Sequence, residues 1–68
     1  MSAQAIRWED ERENVEVGRI GDRIRYRIEH GRAFARLTVA FTGECVDVAP
    51  LHMIDVLKDA AERHHRPS

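Results

Sequence analysis

The sequence is poor in cysteine, proline and aromatic residues, with one Cys, two Pro, one Trp, one Tyr and two Phe. The single cysteine, Cys45, cannot form an intramolecular disulfide, which excludes the cross-linked framework of many small secreted domains. No apolar run approaches the roughly 18 residues that a transmembrane helix needs. Residues 1–13 carry an acidic stretch where a signal peptide has its apolar segment. We therefore expect a cytoplasmic protein that does not enter a membrane.

The sequence also lacks a pattern of catalytic or metal-binding residues. His52, His64 and His65 have no cysteine or carboxylate at a spacing that would complete a metal site. Cys45 has no histidine or second cysteine near it in sequence, and the glycines do not form a phosphate-binding motif. We predict no catalytic residue, no metal, no cofactor and no small-molecule substrate, and hence a protein that is not an enzyme.

Apolar and charged residues make up most of the chain, at 43% and 34%. This composition is typical of a folded protein, because a disordered chain has too few apolar residues to offset its conformational entropy. Sixty-eight residues can form one core at most. We therefore predict a single domain over residues 1–68.

Apolar and polar residues alternate with a period of two over most of the chain. Ile24, Tyr26 and Ile28, for example, alternate with a series of arginines. This period is typical of a strand with one buried and one exposed face. The pattern predicts strands at about residues 5–9, 14–20, 23–29, 32–41 and 44–48.

Short turns between these segments would determine which strand residues lie opposite each other. We place two-residue turns at Glu11–Arg12, Gly21–Asp22, His30–Gly31 and Thr42–Gly43. The resulting register pairs Ile6 with Val17, Trp8 with Val15, Val17 with Tyr26, Val15 with Ile28, Ile28 with Ala33, Tyr26 with Ala35, Ile24 with Leu37, Val39 with Val46, and Leu37 with Val48. This register predicts that all of these apolar side chains share one face of the sheet.

The period changes after Ala49. Pro50 suits the first position of a helix, where its missing N–H would be unpaired in any case. The pattern predicts a helix over about residues 50–64. Its apolar stripe comprises Met53, Ile54, Leu57, Ala60, Ala61 and His64. The predicted fold is thus α+β, a four- to five-stranded antiparallel β-meander with one C-terminal α-helix packed on one face.

The central part of the chain is basic, with six arginines against two acidic residues over residues 18–42. The predicted register places several of these arginines on the face away from the helix, with Arg25 opposite Arg36 and Arg27 flanked by Glu16 and Phe34. Like charges opposite each other on neighbouring strands are destabilising unless something outside the molecule compensates them. We predict that this face binds a partner through Arg23, Arg25, Arg27, Phe34, Arg36 and Thr38.

The nature of the partner stays open at this stage. Arginine side chains and an exposed aromatic suit a protein partner, which can be a larger host complex or a second copy in a homodimer. An edge strand of the sheet could also take part. A nucleic acid ranks second, because the chain is near neutral with an isoelectric point of about 6.4. A solvated sheet face without a binding role is the remaining interpretation.

Four segments in this order, IRWE, VEVGRIGDRIRYRIEHG, ARLTVAF and APLHMIDVLKDAAERH, predict a first strand with a Trp, a hairpin, a further strand and a terminal helix. This architecture resembles short phage-encoded accessory proteins, a class that includes inhibitors of bacterial defence systems. The resemblance covers most of the chain but has no diagnostic motif, so no functional residue is carried over. It implies a non-enzymatic binder that occupies a surface of a larger host complex.

Overall fold

The computed structural model describes residues 6–65, which form one five-stranded antiparallel sheet and one helical segment. The elements are β1 (Arg7–Arg12), β2 (Val15–Ile20), β3 (Arg23–His30), β4 (Phe34–Val39), β5 (Cys45–Pro50), a 3₁₀ turn (Leu51–Met53) and α1 (Ile54–His65). The strands lie in the sheet in chain order. The predicted α+β meander with a C-terminal helix is therefore confirmed. The predicted start of the first strand, at residue 5, lies outside the described residues.

The core lies between one face of the sheet and α1. Ile28, Leu37 and Leu57 are fully buried there. The other buried members are Ile6, Tyr26 and four small residues, Ala35, Ala49, Ala60 and Ala61. Small residues on both layers let the helix approach the sheet closely, so the long apolar side chains of β3 and β4 interdigitate with Leu57. We call this side of the sheet the helix face and the opposite side the outer face.

The predicted pairing of β2 with its neighbours is wrong. Gly18 lies opposite both Trp8, where Val15 was predicted, and Tyr26, where Val17 was predicted, and a β-bulge follows between Gly18 and Arg19. The extra residue of a bulge shifts the register by one, which moves a strand's side chains to the other face. Val15 and Val17 therefore lie on the outer face, opposite Glu29 and Arg27.

The predicted two-residue turn at His30–Gly31 is also wrong, because a longer loop joins β3 to β4 and Ala33 is exposed in it. Tyr26 pairs with Val39 and not with Ala35, and Ile28 pairs with Leu37. Relative to the predicted register, the partners of β3 on β4 are shifted by four residues. Because four is even, Tyr26, Ile28, Ala35, Leu37 and Val39 still lie on the helix face as predicted. The prediction is wrong for Ile24, which the bulge places opposite Arg19.

On β5 the register differs by one from the prediction over most of the strand. Val48 lies opposite Arg36 on the outer face and is 49% exposed. An irregularity between Leu37 and Thr38 lets Val46 still pack against the core. Ala49 takes the buried position that the prediction assigned to a valine.

The helix begins later than predicted. Pro50 is the last residue of β5, with the extended backbone angles φ −57° and ψ 151°. A 3₁₀ turn precedes α1, and Met53 in that turn is 42% exposed. The rest of the predicted stripe faces the sheet, with Leu57, Ala60 and Ala61 buried and Ile54 packed against them. Within residues 6–65 no helix has the length and apolar character needed to cross a bilayer.

The end of α1 is attached to the sheet by a side-chain hydrogen bond. The Tyr26 hydroxyl lies 2.8 Å from Nδ1 of His64, and the two rings meet edge to face. Both residues belong to the predicted buried sets, but their pairing depends on where the helix crosses the sheet. The contact gives the buried phenol a polar partner, which a buried tyrosine requires.

The first prediction concerns Gly18. A Cβ atom at this position would lie 2.8 Å from Cγ2 of Ile6 and 2.9 Å from the Trp8 ring. We expect Gly18→Ala to lower the free energy of unfolding by about 1–3 kcal/mol in urea denaturation, because the packed side chains must move. The control is Gly43→Asn, in open space with φ +76°, where Asn is tolerated and should cost less than about 1 kcal/mol. Equal losses in the two variants would contradict this packing.

The second prediction concerns alkaline stability. Burial raises the pKa of the Tyr26 hydroxyl above its usual 10.0, and the charge of Arg25 partly opposes the shift. The unfolded chain therefore loses this proton at a lower pH than the folded protein. The stabilisation is complete below about pH 10 and is lost as the pH rises through the folded-state pKa. Urea denaturation at about pH 8 and about pH 11 should show a smaller alkaline loss in Tyr26→Phe than in the wild type. An identical loss would refute the assignment to Tyr26.

Candidate functional site

Five of the six residues predicted to bind a partner lie on the outer face. Arg27 is opposite Thr38, and Glu29 is opposite Arg36, so these side chains share a side of the sheet. Alternation along β3 and β4 places Arg25 and Phe34 with them, but a bulge interrupts it before Arg23, which is opposite the core-packed Ile20. The full predicted set is Arg23, Arg25, Arg27, Phe34, Arg36 and Thr38. Apart from Arg23, its members form one surface, although not in the predicted arrangement.

The outer face is basic. Its strand positions carry six arginines against three glutamates, an excess of three positive charges. The arginines are Arg7, Arg12, Arg19, Arg25, Arg27 and Arg36, and the glutamates are Glu9, Glu11 and Glu29. The chain as a whole has a formal net charge of −1. The positive charge is thus concentrated by the fold on one side of the sheet.

The predicted pairs across this face are replaced by others. Arg25 is not opposite Arg36, because the longer β3–β4 loop places Glu29 there. Arg27 is not flanked by Glu16 and Phe34, because the bulge in the pairing of β2 with β3 shifts the register and turns Glu16 to the helix face. The repulsive arginine pair that motivated the prediction is therefore absent from this register. Two ion pairs are present instead, Arg19 Nε to Glu9 Oε1 at 2.7 Å and Arg27 Nη2 to Glu11 Oε2 at 3.4 Å.

The Arg27–Glu11 pair spans β2. Arg27 is on β3 and Glu11 is on β1, and these strands are separated by β2, a distance of about 10 Å across the sheet. Both side chains must therefore extend over Val15 and Val17. This explains why the two valines are only 7% and 2% exposed although they are outside the core. Long charged side chains commonly cover apolar surface in this way.

Three arginines of the predicted set have no such partner. Within residues 6–65, no carboxylate lies within 4 Å of the guanidinium groups of Arg23, Arg25 or Arg36. All three side chains are exposed. A guanidinium group presents a planar set of donors that matches a carboxylate or phosphate. These three residues are the part of the predicted set that is free to bind an anion.

A shallow groove of about 430 Å³ runs across this face, lined in part by Arg12, Arg27 and Arg36 with Glu11 and Glu29. Beside it, Phe34 is 58% exposed and lines a hollow of about 340 Å³ together with Arg36 and Val48. The face therefore combines cationic groups, two carboxylates and an apolar margin. Its charge is mixed at the centre, where the sequence predicted a basic surface.

Sequence reasoning missed Phe41 as a surface residue, because it fits the alternation of the predicted strand 32–41. β4 ends at Val39, and Phe41 lies in the following turn with 96% of its surface exposed. It lines a hollow of about 380 Å³ with Arg23 and Arg25. The turn-forming residues Thr42 and Gly43 are the sequence signal that could have ended the predicted strand earlier. In the structure Gly43 has φ +76°, and Thr42 accepts a hydrogen bond from the Glu44 amide.

Glu16 joins a polar cluster at the margin of the helix face. Its carboxylate lies 3.4 Å from Nζ of Lys58 and 3.5 Å from Nε2 of His30. Lys58 also lies above the Trp8 ring, 5.8 Å from its centroid. The cluster connects β2, β3 and α1. No group of three or more potential metal ligands occurs within residues 6–65, so the described part of the chain offers polar contacts here and not a metal site.

Comparisons of the chain with protein-family models, with curated proteins and with solved structures find no match.

The third prediction compares Arg27, which forms an ion pair over the two valines, with Arg25, which forms none. Arg27→Ala removes the side chain that covers Val15 and Val17, whereas Arg25→Ala removes a neighbour without an ion pair. We expect Arg27→Ala to lower the free energy of unfolding by about 1 kcal/mol, from lost apolar cover. Arg25→Ala should stay within about 0.5 kcal/mol of the wild type. Urea denaturation measures both, and an equal effect would show that the ion pair does not protect the valines.

Proposed function

We propose that this protein is a non-enzymatic binding protein whose outer sheet face binds an acidic surface of a protein partner. The observation that carries the proposal is the excess of arginine on that face, with Arg25 and Arg36 lacking a carboxylate partner in the described chain. Hydrogen bonds between guanidinium and carboxylate groups are among the strong ones in proteins. An acidic partner would supply the carboxylates that the fold does not.

The exposed aromatic residues support a protein partner. Phe34 lies beside Arg36 on the outer face, and Phe41 lies beside Arg23 and Arg25. Aromatic and arginine side chains are the residue types that contribute most to protein–protein binding energy when they enter pockets of a partner. Each free arginine of this surface thus has an apolar neighbour that could anchor the contact.

A nucleic acid is the second candidate partner, because glutamates lie on the same face. Glu9, Glu11 and Glu29 lie among the arginines, so a phosphate backbone laid on this face would approach three carboxylates. Nucleic-acid-binding surfaces are normally uniformly basic. The mixed charge matches a protein surface better, because proteins present both signs within a few ångströms. A phage origin, a homodimer and a cytoplasmic location stay predictions from the sequence.

The fourth prediction tests the free arginines. We expect the double variant Arg25→Gln and Arg36→Gln to reduce capture of the partner by more than about tenfold, because two charge-assisted contacts are lost. Glutamine avoids placing a like charge beside Glu29. The measurement is quantitative mass spectrometry of proteins retained from a nuclease-treated bacterial lysate by immobilised protein.

The matched control is Arg32→Gln with Arg63→Gln, which removes the same charge from exposed positions outside the set. It should retain the wild-type partners. Loss of the same proteins from both double variants would mean that overall charge, and not the outer face, drives capture. Retention that depends on omitting the nuclease, together with a steep salt dependence for a labelled DNA or RNA duplex, would favour the nucleic-acid alternative.

A further inference from the structure

The side of α1 that faces away from the sheet carries a line of carboxylates. Asp55, Asp59 and Glu62 follow each other at intervals of four and three residues, which places them on one side of the helix. The buried residues Leu57 and Ala61 lie on the opposite side. All three acidic side chains are exposed. We call this line of three residues the acidic flank of α1.

The acidic flank has no basic partner in the described part of the chain. Within residues 6–65, no basic nitrogen lies within 4 Å of its three carboxylates. Lys58 and Arg63 are the basic residues nearest to it along α1, but Lys58 contacts Glu16 of β2 instead. Three carboxylates against the one remaining arginine leave an excess of two negative charges on this side of the helix.

The outer face of the sheet has the complementary pattern. Arg25 and Arg36 are exposed there, and no carboxylate within residues 6–65 lies within 4 Å of them, although Glu29 is opposite Arg36. The two arginines are about 14 Å apart, from four residues along a strand and one step between strands. Asp55 and Glu62 are about 10 Å apart along α1. Arginine side chains are long enough to bridge this difference, so both guanidinium groups can reach the acidic flank of another molecule.

Each of the two surfaces also exposes apolar side chains beside its charges. On the outer face Phe34 is 58% and Val48 is 49% exposed, and both line a hollow together with Arg36. On α1, Val56 is 38% exposed and is a neighbour of Asp59 on the helix surface. Apolar contacts surrounded by polar ones are the usual composition of a protein interface. The two surfaces therefore match in apolar contact as well as in charge.

The charges also select between the ways in which two copies of the chain can meet. A symmetric dimer places the same surface of both copies in contact, which would bring arginines against arginines or carboxylates against carboxylates. Contacts between like charges are unfavourable. Contact between the outer face of one copy and the acidic flank of the next joins opposite charges. The formal net charge of −1 leaves little overall repulsion between copies.

We propose that this protein associates with itself head to tail, with the acidic flank of one copy on the outer face of the next. The carboxylates of the flank accept hydrogen bonds from the guanidinium groups of Arg25 and Arg36. This inference rests on the proposed function, because it identifies the acidic protein surface as that of a second copy. The two surfaces lie on opposite sides of the molecule, so each copy binds two neighbours and the assembly grows unless it closes into a ring.

The fifth prediction concerns self-association, measured by sedimentation velocity of the full chain at low salt from micromolar to millimolar concentration. We expect the average mass to rise with concentration beyond twice the 7.9 kDa of one chain. Added salt should lower it, because the contact joins exposed charges. The variant Arg25→Gln with Arg36→Gln and the variant Asp55→Asn with Glu62→Gln should each weaken self-association by more than about tenfold. A wild type that stays monomeric over the whole series would overturn the proposal.

An equimolar mixture of these two double variants tests the head-to-tail arrangement. Each variant keeps one intact surface, so the mixture should form pairs with one copy of each and grow no further. Pairing also demonstrates that both variants are folded. The control Glu13→Gln with Asp22→Asn removes the same charge from exposed turn residues and should associate as the wild type does. A mixture that stays monomeric, or an equal loss in the control, would overturn the proposal.

Self-association and the capture of proteins from a lysate can fail separately. The variant Asp55→Asn with Glu62→Gln keeps the outer face intact, so it should capture the same proteins as the wild type. If the wild type is monomeric but Arg25→Gln with Arg36→Gln still loses captured proteins, self-association is refuted and the proposed function stands. If that arginine variant retains both the captured proteins and self-association, both proposals are refuted.

Discussion

The close approach of Ile6 and Trp8 to the backbone of Gly18 is the contact on which the arrangement of this small sheet depends. Only a residue without a side chain fits there, so Gly18 faces the helix layer and its neighbours Val17 and Arg19 do not. The bulge after Gly18 then restores the pairing needed to close the hairpin with β3. Because successive side chains alternate, this one contact decides the side of the sheet on which every residue of β2 lies.

The consequences reach both surfaces. With Glu16 on the helix face, its carboxylate contacts Lys58 of α1 and His30 of β3. With Val15 and Val17 on the outer face, the Arg27–Glu11 pair extends over them and leaves them nearly inaccessible to solvent. A chain without a disulfide and with one small core gains stability from such additional apolar cover. Arg27 therefore has a structural role, whereas Arg23, Arg25 and Arg36 form no ion pair within residues 6–65.

The molecule carries opposite charges on two distinct surfaces. Arginines dominate the outer face, whereas Asp55, Asp59 and Glu62 of α1 outnumber Lys58 and Arg63 around the groove between β1 and α1. Such a separation permits two partners, or two parts of one partner, to be bound without competition. It also lets a nearly neutral chain attract anionic and cationic surfaces at short range, where charge patterns and not net charge determine the interaction.

The sequence by itself determined the elements and their order, because the change from a period of two to a helical period is strong in β3, β4 and α1. It also determined that Arg25, Arg27, Phe34, Arg36 and Thr38 share a face, since a shift of four residues between β3 and β4 preserves the alternation, whereas the bulge places Arg23 opposite Ile20. Only the tertiary structure decided which side chains lie opposite each other, because register depends on loop length and bulges. The turn at His30–Gly31, the bulge after Gly18 and the ion pair across β2 follow from packing between residues distant in sequence.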